Sequence, residues 1–159
     1  LYCGVGGFAL AAARAGFPRV TGVEVSSGAI SSAISAARHA GLPRSAASFI
    51  TDDATSWARA QSPEDVPDVI VVNPPRRGIG ADLAAYLNEC DAPRVIYSSC
   101  NPASLAKDLT SMPTLFPVEG RVFDMFPHTT HVEAALLLER ASVAPIARPT
   151  AASDRYNWT

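Results

Sequence analysis

The sequence predicts a doubly wound α/β domain, a mostly parallel Rossmann-like sheet that ends in an antiparallel hairpin, and three observations carry that expectation. Short apolar runs rich in valine and isoleucine alternate with alanine-rich, helix-prone stretches, which is the pattern of parallel strands joined by crossover helices. A glycine turn, Gly4-Val5-Gly6-Gly7, stands at the start with Glu24 about twenty residues further on, the spacing of a nucleotide-binding strand-turn-helix-strand unit. The last two strand-like runs, 118–123 and 132–138, have no helix between them, and strands joined that closely pair antiparallel.

Taken in order, residues 8–15 after the glycine turn are helix-prone, and Gly16 with Pro18 just beyond supplies the stop. Residues 20–25 read as a strand carrying Glu24, after which Ser26 can cap a helix that runs through His39 and stops at Gly41-Leu42-Pro43. A short strand near 47–50 precedes Asp52-Asp53 and a helical stretch to about Ala60. Pro63 and Pro67 bracket a loop before the strand at 68–72. Residues 82–90 read as helix, 94–97 as strand and 103–111 as helix, and after Pro113 the hairpin strands are joined by 124–131. No internal repeat is visible. From Ala141 onward, Pro145, Pro149 and scattered small residues show no periodicity, so 1–140 is expected to be one domain and 141–159 a mobile tail or linker. Leu1-Tyr2 runs straight into the glycine turn with almost no preceding strand, and the chain is expected to be a piece of a longer protein whose first strand is truncated.

At 159 residues, 48% hydrophobic and 18% charged, the chain can bury one core but not two full-sized ones. A net charge of -2 supplies no global electrostatic footprint for nucleic acid, so any RNA contact must rest on local groups such as Arg76, Arg77 and His128. Three cysteines, at 3, 90 and 100, form neither a CxxC pair nor an even set. That fits a reducing cytoplasm better than secretion and makes metal binding by these residues unexpected. No apolar run reaches the roughly eighteen residues of a membrane helix, and no signal pattern opens the chain.

Two loops concentrate the chemistry. The strand 68–72 ends in Asn73-Pro74-Pro75-Arg76-Arg77-Gly78, and the strand 94–97 ends in Ser98-Ser99-Cys100-Asn101-Pro102. Strands of an open parallel sheet share one carboxyl rim, so a thiol, an amide and two guanidiniums can face a common ligand there. The glycine turn and Glu24 suit any ligand with an adenosine ribose diol, NAD and S-adenosylmethionine alike. Asp52 and Asp53 can approach an adenine amino group or serve only as helix caps. Asn-Pro-Pro is a rigid turn that aims the asparagine into the rim, as in many S-adenosylmethionine enzymes. Amino-methyltransferases typically follow it with an aromatic residue, whereas Arg76 stands here and favours a substrate whose developing charge or phosphate an arginine can hold.

Four ordered segments, Leu1 to Phe8 (LYCGVGGF), Val72 to Gly80 (VNPPRRGIG), Ser98 to Pro102 (SSCNP) and Phe123 to Glu133 (FDMFPHTTHVE), together resemble the RNA uracil-C5 methyltransferases. The wording is most similar to the class that modifies uracil 747 of 23S ribosomal RNA; in the transfer-RNA class the residue matching Asn73 is typically aspartate. The resemblance runs from Leu1 to about Arg140 and covers only the family's C-terminal catalytic domain. It implies a class I S-adenosylmethionine-dependent sheet, methylation of uracil C5 in RNA, Cys100 as nucleophile, Glu133 as general base and Arg76 as an assisting arginine. It also implies that Tyr2, Gly7, Glu24 and Asn73 hold the cofactor, to which the glycine turn adds Gly4 and Gly6 and the position after the strand near 47–50 adds Asp53 as expected cofactor residues, with no metal in this part and an iron-sulfur cluster possible in an upstream region. The target base must be unstacked to admit Cys100 to C6, so a loop or flipped nucleotide is expected. The rival readings are an NAD-dependent oxidoreductase, which leaves the NPPRRG, SSCNP and FPHTTHVE segments unexplained, and a fragment that binds cofactor or RNA without catalysis.

Overall fold

The computed structural model describes residues 1–125, 128–129 and 132–141. The tail expected from 141 onward therefore lies, from 142, outside the described residues. The described chain contains β1 (Val20–Glu24), β2 (Ala47–Thr51), β3 (Val69–Val72), β4 (Arg94–Ser99), β5 (Leu115–Phe123) and β6 (Glu133–Arg140), with helix α1 (Gly7–Arg14) before β1 and helices α2 (Ser27–His39), α3 (Ala54–Arg59), α4 (Gly80–Glu89) and α5 (Pro102–Thr110) between successive strands up to β5. Each predicted element is present within a few residues of its expected bounds. The loop between Pro63 and Pro67 additionally holds one 3-10 turn, Pro63–Asp65, opened by the proline that helical first turns tolerate.

Strands β1 and β2 pair parallel, as do β3 and β4. Strand β6 pairs antiparallel with both β4 and β5. Hydrogen bonding groups these strands into two sheets, β2 with β1 and β3-β4-β6-β5, where the sequence suggested one. Residues 1–3 lie across the seam. Leu1 N donates to Val71 O at 2.7 Å and Leu1 O accepts from Asn73 N at 3.4 Å, while Cys3 N donates to Val23 O at 3.0 Å. The stretch is too short, and Tyr2 too far from extended backbone at φ 58°, to form a strand of its own, yet it sets the order β2, β1, 1–3, β3, β4, β6, β5.

Local chemistry accounts for the helices. Ser26 Oγ accepts from Ala29 N and caps α2, whose buried residues Ile30, Ala33 and Ala37 recur at helical spacing. Helix α4 buries Leu83, Ala84 and Leu87 against the fully buried Val72, Val95, Tyr97 and Leu138 of the sheet, with Met112 closing the layer. Gly6 is needed where it stands. Its φ of +90° is left-handed, and a Cβ there would press on Ala33 and Phe49 at 3.0 and 3.1 Å. Among the described residues, no helix is long and apolar enough to cross a membrane.

One buried carboxylate organises the face that carries the site. Asp108 on α5 is only 7% exposed, and its Oδ2 accepts from the Tyr97 hydroxyl at 2.6 Å and from Ile79 N at 2.9 Å. Burial, reinforced by that carboxylate, pushes the Tyr97 phenol far above its usual range. Gly78, at φ +86°, packs so closely that any side chain would collide with Asp108. Asp108→Ala leaves two buried donors unsatisfied and is expected to cost about 2–4 kcal/mol, with Asp108→Asn costing less because an acceptor remains. Urea unfolding of the two variants checks this order.

Candidate active site

Strands β3 and β4, adjacent and parallel, deliver their following loops to the same rim. After β3, Gly78 N donates to Pro75 O at 2.9 Å, so Arg76 and Arg77 are the corner residues of a turn whose far end Asp108 holds. After β4, Ser99 Oγ accepts from Asn101 N at 3.0 Å. Asn101 caps α5 by accepting from Ala103 N at 3.2 Å, and its Nδ2 donates to Arg76 O at 2.9 Å. The arginine turn and the cysteine loop are thereby latched side to side.

Strand β6 brings in the carboxylate. Its register against β4 pairs Ser99 with Ala134 and Ser98 with Ala135, and the next residues along the two strands are Cys100, in the bend just past β4, and Glu133, the first residue of β6. Side chains directly opposite in an antiparallel pair share a face, as do residues two apart along a strand. Glu133 and Ser98 therefore face the same way, and Cys100 follows Ser98 by two residues, just past the end of β4. Ser98, 2% exposed, donates its hydroxyl to Glu133 Oε1 at 2.5 Å. Asn73 Nδ2 lies 3.3 Å from the same oxygen and 3.4 Å from Ser98 O.

Asn73 also faces a cleft of about 440 Å³ lined by Tyr2, Val23, Glu24, Val25, Asp53, Ala54, Asn73, Pro74, Pro75 and Arg77, within the size range of small-ligand sites. Four of the seven residues expected to hold a cofactor, Tyr2, Glu24, Asp53 and Asn73, line it. Glu24 braces the glycine turn, accepting from Gly4 N at 3.2 Å through Oε2 and from Ser26 N at 3.0 Å through Oε1. Asp53 uses Oδ1 to cap α3, accepting from Thr55 N and Ser56 N at 3.0 and 2.9 Å. These N–H donors, Ser56 first, hold its carboxyl below the usual range. Burial, then the Asp53 charge, pushes the Tyr2 phenol up. Gly6 packs behind the turn, and Gly7 opens α1 and lines a separate groove with Leu10, Arg14 and His39. Asp52 spends Oδ1 on Asp53 N at 2.8 Å.

The two arginines of the turn diverge. Arg77 lines the cofactor-sized cleft, while Arg76 is exposed and its carbonyl is tied to the cysteine loop. His128 is an exposed residue at φ 70° in the turn between β5 and β6. Ser98, Asn101 and Asp108 border the candidate site without having been singled out from sequence as site residues, whereas Arg77 was expected at the rim. Period-two spacing from Cys100 was the available signal for Ser98; the others act through long-range contacts that local spacing does not encode.

Comparison with known proteins decides the family. A model described as tRNA (Uracil-5-)-methyltransferase matches residues 64–141. The 23S rRNA (uracil(747)-C(5))-methyltransferase RlmC of Halothiobacillus neapolitanus is 48% identical over 141 residues, 88% of this chain and 37% of that protein. The RlmC of Pectobacterium atrosepticum is 44% identical over 141 residues, 89% of this chain and 36% of that protein. The chain belongs to the RNA uracil-C5 methyltransferase family. It spans little more than a third of the length of these curated relatives. In shape, this family member is similar to the Pyrococcus abyssi tRNA (uracil-54, C5)-methyltransferase in complex with S-adenosyl-L-homocysteine, with a TM-score of 0.75 at 32% identity over 86% of this chain and 32% of that one. The fold alone extends to the magnesium protoporphyrin IX methyltransferase of Synechocystis, TM-score 0.68 at 17% identity, covering 88% of this chain and 67% of that one. The sheet is thus a class I methyltransferase sheet, with the final antiparallel pair the sequence suggested. Among uracil-C5 methyltransferases, the ribosomal relatives here are closer in sequence than the transfer-RNA enzyme, in line with the NPPRRGIG wording.

Proposed function

We propose that this chain is the catalytic part, residues 1–140, of a cytoplasmic enzyme that methylates C5 of a uracil in RNA, with 23S ribosomal RNA as substrate, using S-adenosylmethionine. The observation that carries this reading is Glu133 held by Ser98, two residues before Cys100 on the same rim, with Asn73 reaching both the carboxylate and a cleft of cofactor size. The residue set suits the cofactor: Glu24 can accept from ribose hydroxyls, Asp53 can approach the adenine amino group, and Tyr2 and Asn73 line the remainder, with Gly4, Gly6 and Gly7 shaping the turn beside it. When bound, S-adenosylmethionine supplies an electrophilic methyl group on a sulfonium.

Uracil C5 is a weak carbon nucleophile, and the chain's residues are suited to overcoming that. The Cys100 thiolate adds to C6, and the C5–C6 π pair shifts towards the carbonyl to make C5 enolate-like. Arg76, on the exposed corner of the turn, can hold the charge that develops on the ring or an adjoining phosphate. Once C5 carries its methyl group, Glu133 removes the C5 proton, the C5–C6 double bond re-forms and the Cys100 sulfur leaves. The loops around the site contribute Arg76 and Arg77 as local cations and His128 as a further polar group for an RNA whose target base is flipped out.

Calorimetry with S-adenosylhomocysteine and NAD tests the cofactor assignment. S-adenosylhomocysteine is expected to bind in preference, and Glu24→Ala to weaken it by about 1–3 kcal/mol. Part of that loss comes from the glycine turn, since Glu24 also holds Gly4 N and Ser26 N. Equal or tighter NAD binding would remove the methyltransferase reading.

A further inference from the structure

Both contacts on the Glu133 carboxylate fall on one oxygen. Oε1 accepts from the Ser98 hydroxyl at 2.5 Å and lies 3.3 Å from Asn73 Nδ2, while among the described residues Oε2 has no hydrogen-bond or ion-pair partner. The distance to Ser98 is that of a charge-assisted O–H···O⁻ bond. Ser98 is itself immobile. It is 2% exposed, lies inside β4 one residue past the end of the ladder to β3, and pairs with Ala135 in the antiparallel ladder to β6.

We infer that Ser98 is a positioning residue for the proton-removal step, fixing Glu133 through Oε1 so that Oε2 is the oxygen that takes the C5 proton. The inference rests on the methyltransferase reading above and adds to it a residue and an atom. In the step concerned, the C5–H bond breaks and an Oε2–H bond forms. The C5–H electron pair becomes the C5–C6 π bond, and the C6–S bond breaks with its electrons left on the Cys100 sulfur, so atoms and charge balance. A general base must keep hydrogen-bond geometry to the proton it abstracts, and a glutamate side chain with several rotatable bonds keeps it only when something holds it. Ser98 does so from the strand that also delivers Cys100, so nucleophile and base are registered to one backbone two residues apart. Asn73 adds a second hold from the cofactor side. Because its amide is neutral and donates, it places no second negative charge beside Glu133.

The test separates the two halves of the reaction in the full-length protein. Single-turnover reactions with RNA and labelled methyl donor, quenched and run on denaturing gels, follow methyl incorporation and decay of the protein–RNA adduct separately. Ser98→Ala is expected to slow adduct decay about 10- to 100-fold, leaving methyl incorporation and S-adenosylhomocysteine affinity within about twofold. Ser98→Thr, which keeps the hydroxyl, should recover most of the decay rate. A general loss of structure would instead depress incorporation, cofactor binding and decay together, and that result would overturn the inference, as would decay at the wild-type rate in Ser98→Ala. If the wild-type protein forms no adduct at all, the methyltransferase reading fails and this inference with it. If the wild type forms and resolves its adduct and Ser98→Ala matches it, the inference alone fails.

Discussion

Cys100→Ala in the full-length protein is expected to abolish the covalent protein–RNA adduct and to lower methylation by about a thousandfold or more, because the uncatalysed nucleophilicity of uracil C5 is all that remains. The expectation is specific to this thiol. Cys3 sits against the backbone of β1, its sulfur close to Gly22 and 3.7 Å from Gly4 O, and burial pushes its thiol up. Cys90 lies at the end of α4, its sulfur donating to Leu87 O at 3.7 Å and approached by Arg140 Nη2 at 3.8 Å. Only Cys100 follows a strand onto the rim that carries Asn73, Arg76 and Glu133. RNA containing 5-fluorouracil, which has no C5 proton to lose, should trap the wild-type protein through Cys100. Peptide mapping that found the label on another residue, or normal turnover by the alanine variant, would exclude the proposed mechanism.

Glu133→Gln should fail at the opposite end of the reaction. The amide keeps the size of the side chain and can still accept from Ser98, but it cannot take a proton from C5. Addition and methyl transfer proceed, and the methylated adduct accumulates because elimination requires prior loss of that proton. Turnover is expected to fall by about 10²- to 10⁴-fold, the usual contribution of a positioned general base, while S-adenosylhomocysteine affinity stays close to that of the wild type. Denaturing gels carrying both RNA and methyl labels distinguish the two variants directly: no shifted band for Cys100→Ala, and a persistent doubly labelled band for Glu133→Gln. An unmethylated adduct in Glu133→Gln would assign the carboxylate to an earlier step.

The alternation of apolar strands with capped helices was enough to read the element order, since local signals generate it: Ser26 caps α2, Pro102 opens α5, and Ile30, Ala33 and Ala37 mark a buried stripe. The hairpin followed from the missing helix between the last two strands. The chemistry of the rim was legible for the same reason. A cysteine and an Asn-Pro-Pro turn placed directly after strands can only emerge at the carboxyl edge of a parallel sheet.

What the chain's sequence could not decide is how those edges meet. The seam spanned by residues 1–3 depends on hydrogen bonds to Val71, Asn73 and Val23, far away along the chain. The latch from Asn101 to Arg76 O and the hold of Asp108 on Tyr97 and Ile79 join segments whose spacing carries no periodic signal. The family resemblance pointed to Glu133, but its partner was invisible, because the pairing of Ser98 with Ala135 is a matter of β4–β6 register. Residue types and local periodicity fix which groups exist and at which strand ends. Register and long-range hydrogen bonds, which arise only when the strands pair, decide which oxygen of Glu133 is held and which is left to take the proton.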